Sequence, residues 1–252
     1  MENKKISVII PNFNDNRVER SINSVISQSY TDIEIIVVEG CMQNTETKMI
    51  YQKYEKNILL VNEKDNGIFD ALNKGISKAT GNIIYLMGAD DFLSNSLVFG
   101  KIMNYFEKND NLNGVSIGCK FIKKDRVIRE WYPNEISSQR MLLGYFPPHF
   151  SLFLKTELYN EVGLFDYKKT NNVATDILWM IDLAIKKPSI NIIVDNELYL
   201  NMEYGGASTG SLKAVVNQFL VVFKYTYENK IWSWPFLSFN RTFSKIFQFK
   251  LF

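Results

Sequence analysis

The first ninety residues alternate between short β-branched apolar runs and stretches of helical spacing, and few folds accept that rhythm. Ile6 to Ile10 is the first run, closed by Pro11 and Asn12, and Ile33 to Val38, Ile58 to Val61 and Ile83 to Met87 repeat it. Between them, Arg17 to Ser27 sets Val18, Ile22, Val25 and Ile26 at helical spacing. Thr45 to Tyr54 puts Met49, Ile50 and Tyr54 on one side, and Phe69, Leu72, Asn73 and Ile76 share a third helix that Thr80-Gly81 closes. Four strands alternating with three helices make βα units, hence a parallel sheet covered by helices. Right-handed crossovers bring all four carboxyl ends to one edge, where open α/β sheets bind ligands. Asn12, Glu39, Asp65 and the pair Asp90/Asp91 each follow a strand end. Polar or acidic residues at four consecutive strand ends predict a binding cleft there.

Composition narrows the chemistry. A charge of +2 from 29 basic and 27 acidic residues creates no field that would gather nucleic acid. Cys41 and Cys119 lie far apart, without metal-ligand spacing, so neither a disulfide framework nor a zinc site is expected. His149 is the single histidine, which argues against a Ser-His-Asp triad. Two cysteines suit a reducing, cytoplasmic setting. The opening run before Pro11 is too short for a signal-peptide core, and no run reaches the roughly 20 apolar residues of a spanning helix.

Past Asp91 the pattern loosens into α+β. Ser94 to Phe106 reads as a helix with Ser94 as its N-cap, and Gly114 to Ile122 with Arg126 to Tyr132 as a hairpin. Glu135 to Leu143 and Asp176 to Ile185 read as helices, and Ser151 to Leu154, Ile190 to Val194 and Leu198 to Tyr204 as short strands. One domain over 1–210 is expected, with a nucleotide-binding half (1–92) and an acceptor half (93–210). The tail, 211–252, differs. Ile231 to Phe252 carries eight aromatics and three basic residues with no acid, and Phe239, Phe243 and Phe247 recur at four-residue steps with Arg241 and Lys245 on another face. That pattern suits a membrane-surface helix, or a helix docking on protein.

Taken together, SVIIPNFN, the strand ending at Glu39-Gly40, DNGIFDALNKGISKATGNIIYLMGADD and GLFD with its later Thr175-Asp176 resemble glycosyltransferase family 2. The resemblance runs from about Lys5 to Gly206 and is nearest the bacterial polysaccharide and O-antigen branch. It implies a GT-A fold, α/β with a Rossmann-like nucleotide half and a mixed central sheet. By position, it implies that Pro11, Asn12 and Asn14 line the nucleotide pocket. Glu39 stands where the family usually has an aspartate on the uracil or ribose, and GCMQNTET replaces the usual Gly-Ser-Thr-Asp-like run. The resemblance sets Asp65, Asp70 and Asn73 under the nucleotide and donor sugar, and Asp90 and Asp91 at the metal motif.

The chemistry fits those places. Sugar transfer from a nucleotide diphosphate leaves negative charge on the diphosphate, which Mg²⁺ or Mn²⁺ on carboxylate oxygens would neutralise. Taken alone, Asp90 and Asp91 could equally stabilise the start of the next helix. The acceptor hydroxyl needs a base, and the resemblance assigns it to Asp176, with Asp166 as a fallback. One base and a metal-bound leaving group imply inversion. His149 is either near acceptor or diphosphate or packed in the core, and Gly205, Gly206 and Ser208 resemble a late flexible loop. The expectation is an inverting hexosyltransferase that takes glucose or galactose from a UDP-sugar. Its acceptor would be an undecaprenyl-diphosphate GlcNAc-type lipid at the inner face of the plasma membrane, in O-antigen or polysaccharide synthesis. A non-catalytic nucleotide-sugar-binding scaffold is the alternative.

Overall fold

The computed structural model describes residues 4–204 and 212–244. Its first part is β1 (Ile6–Asn12), α1 (Val18–Ile26), β2 (Ile33–Glu39), α2 (Thr45–Lys53), β3 (Ile58–Asn62), α3 (Ile68–Lys78) and β4 (Ile83–Leu86). These strands pair in parallel in the order β3-β2-β1-β4, with Asn12 level with Glu39 and Glu39 with Asn62. The expected common edge is therefore present, with β1 and β4 buried on both faces and β3 at the partly exposed margin. Ile6, Val8 and Ile10 of β1 pack with α1, α2 and α4 (Val98–Lys108) on one side. Ile9 packs with α3 on the other. Gly75 lets α3 lie directly on β1, because a Cβ there would come within 2.3 Å of Ile9 Cγ2.

The rest is β5 (Phe92–Leu93), α4, β6 (Gly114–Lys123), β7 (Arg126–Trp131), α5 (Ser138–Leu142), a single 3-10 turn at His149–Ser151, β8 (Leu152–Lys155), α6 (Thr156–Val162), α7 (Tyr167–Thr170), α8 (Thr175–Lys186) and β9 (Ile192–Glu203). β8 joins β4 antiparallel, and β6, β9 and β5 follow, so the sheet is mixed as expected. Where parallel gives way to antiparallel, Tyr85 stacks on Phe153 at 3.9 Å, and Phe99 meets both rings edge-on. Such pairs add about 1 kcal/mol each beyond the area they bury.

Three expectations need correction. The two strands read at 190–194 and 198–204 are one strand, β9, whose register against β6 jumps between Asp195 and Tyr199. A bulge hides the continuity from pattern reading. Ser94 does not cap α4. Its N–H and hydroxyl meet Tyr199 across β5 and β9, and the helix begins four residues later. The tail forms α9 (Leu212–Glu228) and α10 (Trp234–Ser244), with Val222, Ile231 and Leu237 fully or nearly buried in the α3–α8 core. Arg241, expected on a face apart from the phenylalanines, is buried and donates to Gln218 at 2.9 Å. Phe239 is exposed, while the Phe243 side chain, Lys245, Phe247, Gly205, Gly206 and Ser208 lie outside the described residues.

Candidate active site

At the carboxyl edge of β1 and β2, three expected nucleotide contacts are bonded to one another. Glu39 is fully buried, and its Oε1 accepts from the backbone N–H groups of Asn14 (3.1 Å) and Cys41 (2.9 Å). Its Oε2 accepts from Asn12 Nδ2 (2.9 Å) and the Tyr51 hydroxyl (2.8 Å). Four donors satisfy a buried carboxylate. Asn14 sits at φ 53°, and its Oδ1 accepts from Gln43 and Asn44 N–H groups, tying the loop after β1 to the start of α2. Asn44 caps α2. Pro11 belongs to β1, level with Val38. Asn12 Oδ1 is the buried atom of this group that lacks a partner. Burial raises the Tyr51 phenol well above its ordinary range.

The next loop carries Asp65 and Asp70. Asp65 accepts from the Gly67 N–H, and its carboxylate lies against Gly40. Asp70 accepts from the Asn66 N–H at 2.9 Å. Burial pushes its carboxyl up, but bonds from Asn66 and Tyr167 and the charge of Lys74 bring it below its usual value. Asn73, expected beneath the donor, is spent elsewhere. Its amide donates to Phe165 O and accepts from Phe165 N, both at 2.9 Å, pinning α3 to the Gly163–Asp166 turn.

Past β4 the chain folds back through Gly88. Asp91 is 2 % exposed, and its Oδ2 accepts from the Gly88 N–H at 3.0 Å, with no second donor among the described residues. Burial, and then the charge of Asp90, push its carboxyl up to about 8. Burial also raises Asp90, against the opposing charge of Arg17. Arg17 Nη1 reaches Asp90 Oδ2 at 3.0 Å and also holds Asp15. Arg20 bonds Asp90 O and, at 3.1 Å, Glu203 at the end of β9, with its guanidinium over the Phe92 ring.

Asp176 lies in the first turn of α8. The N-cap of that helix is Ala174, with no side-chain cap bond, and Asp176 makes no hydrogen bond or ion pair among the described residues. It does not cap its helix. Before it, Asn171, Asn172 and Ala174 all have φ near +50 to +63°, strained for side chains with a Cβ. Asn172 Nδ2 donates to Asn66 O at 2.8 Å, which joins this loop to the Asp65–Asp70 loop. His149 is half-buried between Phe150 and Phe165, with its Nε2 buried and unpartnered. Burial lowers its pKa against the charge of Asp176. Asp166 caps α7 and pairs with Lys169.

Among the described residues no three His, Cys, Asp or Glu side chains converge, so a protein-only metal cage is absent there. Asp90 and Asp91 instead fit an ion shared with a phosphate. Asp91 is desolvated, has one donor and sits beside a second carboxylate, and Mg²⁺ or Mn²⁺ needs only one or two carboxylates when phosphate and water complete the shell. Pattern reading missed Arg17 and Arg20, although two arginines at a helix start oppose its dipole and could have been noticed. It also missed Tyr51 and Phe13. The Phe13 ring stands 67 % exposed between Asn12 and Asn14.

A parallel nucleotide-type half, an acidic loop after β4 and an antiparallel extension define a GT-A glycosyltransferase. The Glycosyl transferase family 2 profile matches residues 7–161, and the chain belongs to that family and is a transferase enzyme. It is 29% identical over 140 residues to the uncharacterized glycosyltransferase EpsJ of Bacillus subtilis, covering 54% of this chain and 40% of EpsJ. An uncharacterized glycosyltransferase of Rickettsia typhi is 28% identical over 216 residues, covering 81% of this chain and 65% of that protein. The chain thus spans less than two thirds of either relative. Staphylococcus aureus TarS (residues 1–349) superposes with a TM-score of 0.68 over 95% of this chain and 72% of that one, at 18% identity. The mannosyltransferase PcManGT of Pyrobaculum calidifontis, solved with GDP-Man and Mn²⁺, gives 0.63 over 90% and 64%, at 16% identity. At such identities these likenesses show the fold.

Proposed function

We propose that this enzyme is an inverting, metal-dependent hexosyltransferase that uses a UDP-sugar, glucose or galactose first, and a lipid-diphosphate-linked sugar acceptor in bacterial polysaccharide or O-antigen synthesis. The observation that carries the reading is Asp91, a desolvated carboxylate beside Asp90 at the carboxyl end of β4. A divalent cation bound there would supply Lewis-acid neutralisation of the leaving diphosphate. Asp65 and Asp70 border the donor, and Phe13 offers a ring to the base. Asp176, which makes no hydrogen bond among the described residues and lies within the electrostatic reach of Arg241 and His149, accepts the proton of the attacking hydroxyl, and His149 orders the wall behind it. TarS has been solved with UDP-GlcNAc and PcManGT with Mn²⁺, which supports the donor class and the metal.

The lipid acceptor and contact with the inner membrane surface rest on α9, α10 and the turn between them, where Leu220, Trp232, Phe236 and Phe239 are each more than half exposed. No described helix is long and apolar enough to cross a membrane. The test is a mass-spectrometric transfer assay with a panel of UDP-sugars and an undecaprenyl-diphosphate GlcNAc acceptor, in Mn²⁺ and in EDTA. Transfer that persists in EDTA and in Asp91→Ala refutes the metal role. The saturated Glu39 favours one rival, a nucleotide-sugar-binding scaffold, which would bind UDP without turnover and be indifferent to Asp176→Asn.

A further inference from the structure

The pair formed by Arg17 and Asp90 has a use that the roles above do not absorb. Arg17 stands at the start of α1 on the ligand edge of the sheet, with its side chain 55 % exposed. Its guanidinium is divided between two carboxylates, Asp15 on its own loop and Asp90 on the acidic loop. Asp90 Oδ2, one of the two oxygens this carboxylate could offer a metal, is thus occupied by a protein cation. Around it, Asp15, Asp90, Asp91 and Glu203 face Arg17 and Arg20, two more carboxylates than guanidiniums. With all four carboxylates ionised, one divalent cation balances that difference. If it binds Asp90, it displaces Arg17, and the freed fork lies beside the diphosphate the metal carries. Guanidinium matches phosphate oxygens two at a time. Arg20, held by Asp90 O, Glu203 and Phe92, has no such freedom.

We propose that Arg17 is an exchangeable cation of the donor site, bound to Asp90 in the free enzyme and transferred to the donor diphosphate when the metal–nucleotide complex takes Asp90. This rests on the proposed nucleotide-sugar activity. It requires opposite signs of coupling: Arg17 competes with metal alone and cooperates with metal plus diphosphate.

Arg17→Ala, with Arg17→Lys as the conservative partner, tests it by Mn²⁺ binding from electron paramagnetic resonance and UDP binding from calorimetry. In Arg17→Ala, Mn²⁺ without nucleotide should bind about threefold tighter, the worth of an exposed ion pair. UDP in saturating Mn²⁺ should bind about tenfold weaker, the scale of a charge-assisted hydrogen bond. Arg17→Lys should recover part of the UDP affinity, since it keeps the charge without the fork. Any other pair of signs overturns the exchange, including a loss of both affinities, which a structural role would give. Wild-type protein that binds neither Mn²⁺ nor UDP overturns the exchange and the proposed function together. Normal wild-type binding with an unaltered Arg17→Ala overturns the exchange alone.

Discussion

The carboxylate of Asp65 rests on the bare Cα of Gly40, so closely that a Cβ on Gly40 would fall 1.9 Å from Asp65 Oδ2. Gly40 directly follows β2 and Asp65 belongs to the loop after β3, so this contact sets one strand end against the next. Gly40→Ala should turn Asp65 off its Gly67 bond with only a modest drop in melting temperature. If Asp65 borders the donor, UDP affinity should fall about tenfold, one charge-assisted bond. In an Asp65→Ala background the glycine substitution should then cost little more, because coupled neighbours are not additive. Additive losses would show that Gly40 acts through something other than Asp65.

Glu39 and Tyr51 give a stability prediction. Tyr51→Phe removes one of four donors and leaves Oε2 bonded to Asn12, a loss of about 1 kcal/mol. Glu39→Gln is worse, about 3 kcal/mol. It turns an amide N–H toward donors and leaves buried polar groups unmatched. Urea unfolding should rank the variants in that order, and the reverse would mean the carboxylate is not held as described.

Much of this was legible in the chain because it depends on local period. The β-branched runs and helical spacings before Met87 fix four parallel strands and therefore the acidic edge. What escaped depends on where a side chain turns once it arrives. Asp91 follows its strand visibly, yet its turn toward Gly88 comes from the fold-back after β4. The one extra methylene of Glu39 sends its carboxylate to Tyr51, twelve residues on, and Asn73 bonds Phe165, ninety-two residues away. Arg241 is buried because α10 packs on α9, a tertiary choice that an aromatic, basic composition does not encode.

Asp176 makes no hydrogen bond among the described residues, and its charge acts on His149 and the buried Arg241, so the isosteric Asp176→Asn should leave the fold largely intact and strike mainly chemistry. Asp176→Asn is expected to lower kcat by about 10²–10⁴-fold, the range for a general base, with the UDP dissociation constant within about twofold of wild type. Calorimetry and an initial-rate assay check the two halves separately. Normal turnover in Asp176→Asn would remove it as the base.

At the opposite edge of the sheet, Glu34 collects Lys5, Ser7, Thr80 and the Gly81 N–H. Burial pushes its carboxyl up, but these bonds win and hold it at about 2, against 4.5 unperturbed. A carboxyl depressed on folding stabilises the fold while the unfolded chain is also ionised. That contribution is complete above about pH 4.5 and disappears as pH falls toward 2. At about 1.4 kcal/mol per pKa unit, less a discount for its 18 % exposure, it amounts to about 2 kcal/mol. Glu34→Gln should therefore be about 2 kcal/mol less stable than wild type at pH 7, with the gap closing as both are acidified. Chemical unfolding at pH 7, 5 and 3 measures it. A constant gap at all three would mean that Glu34 supports the fold by packing and not by charge.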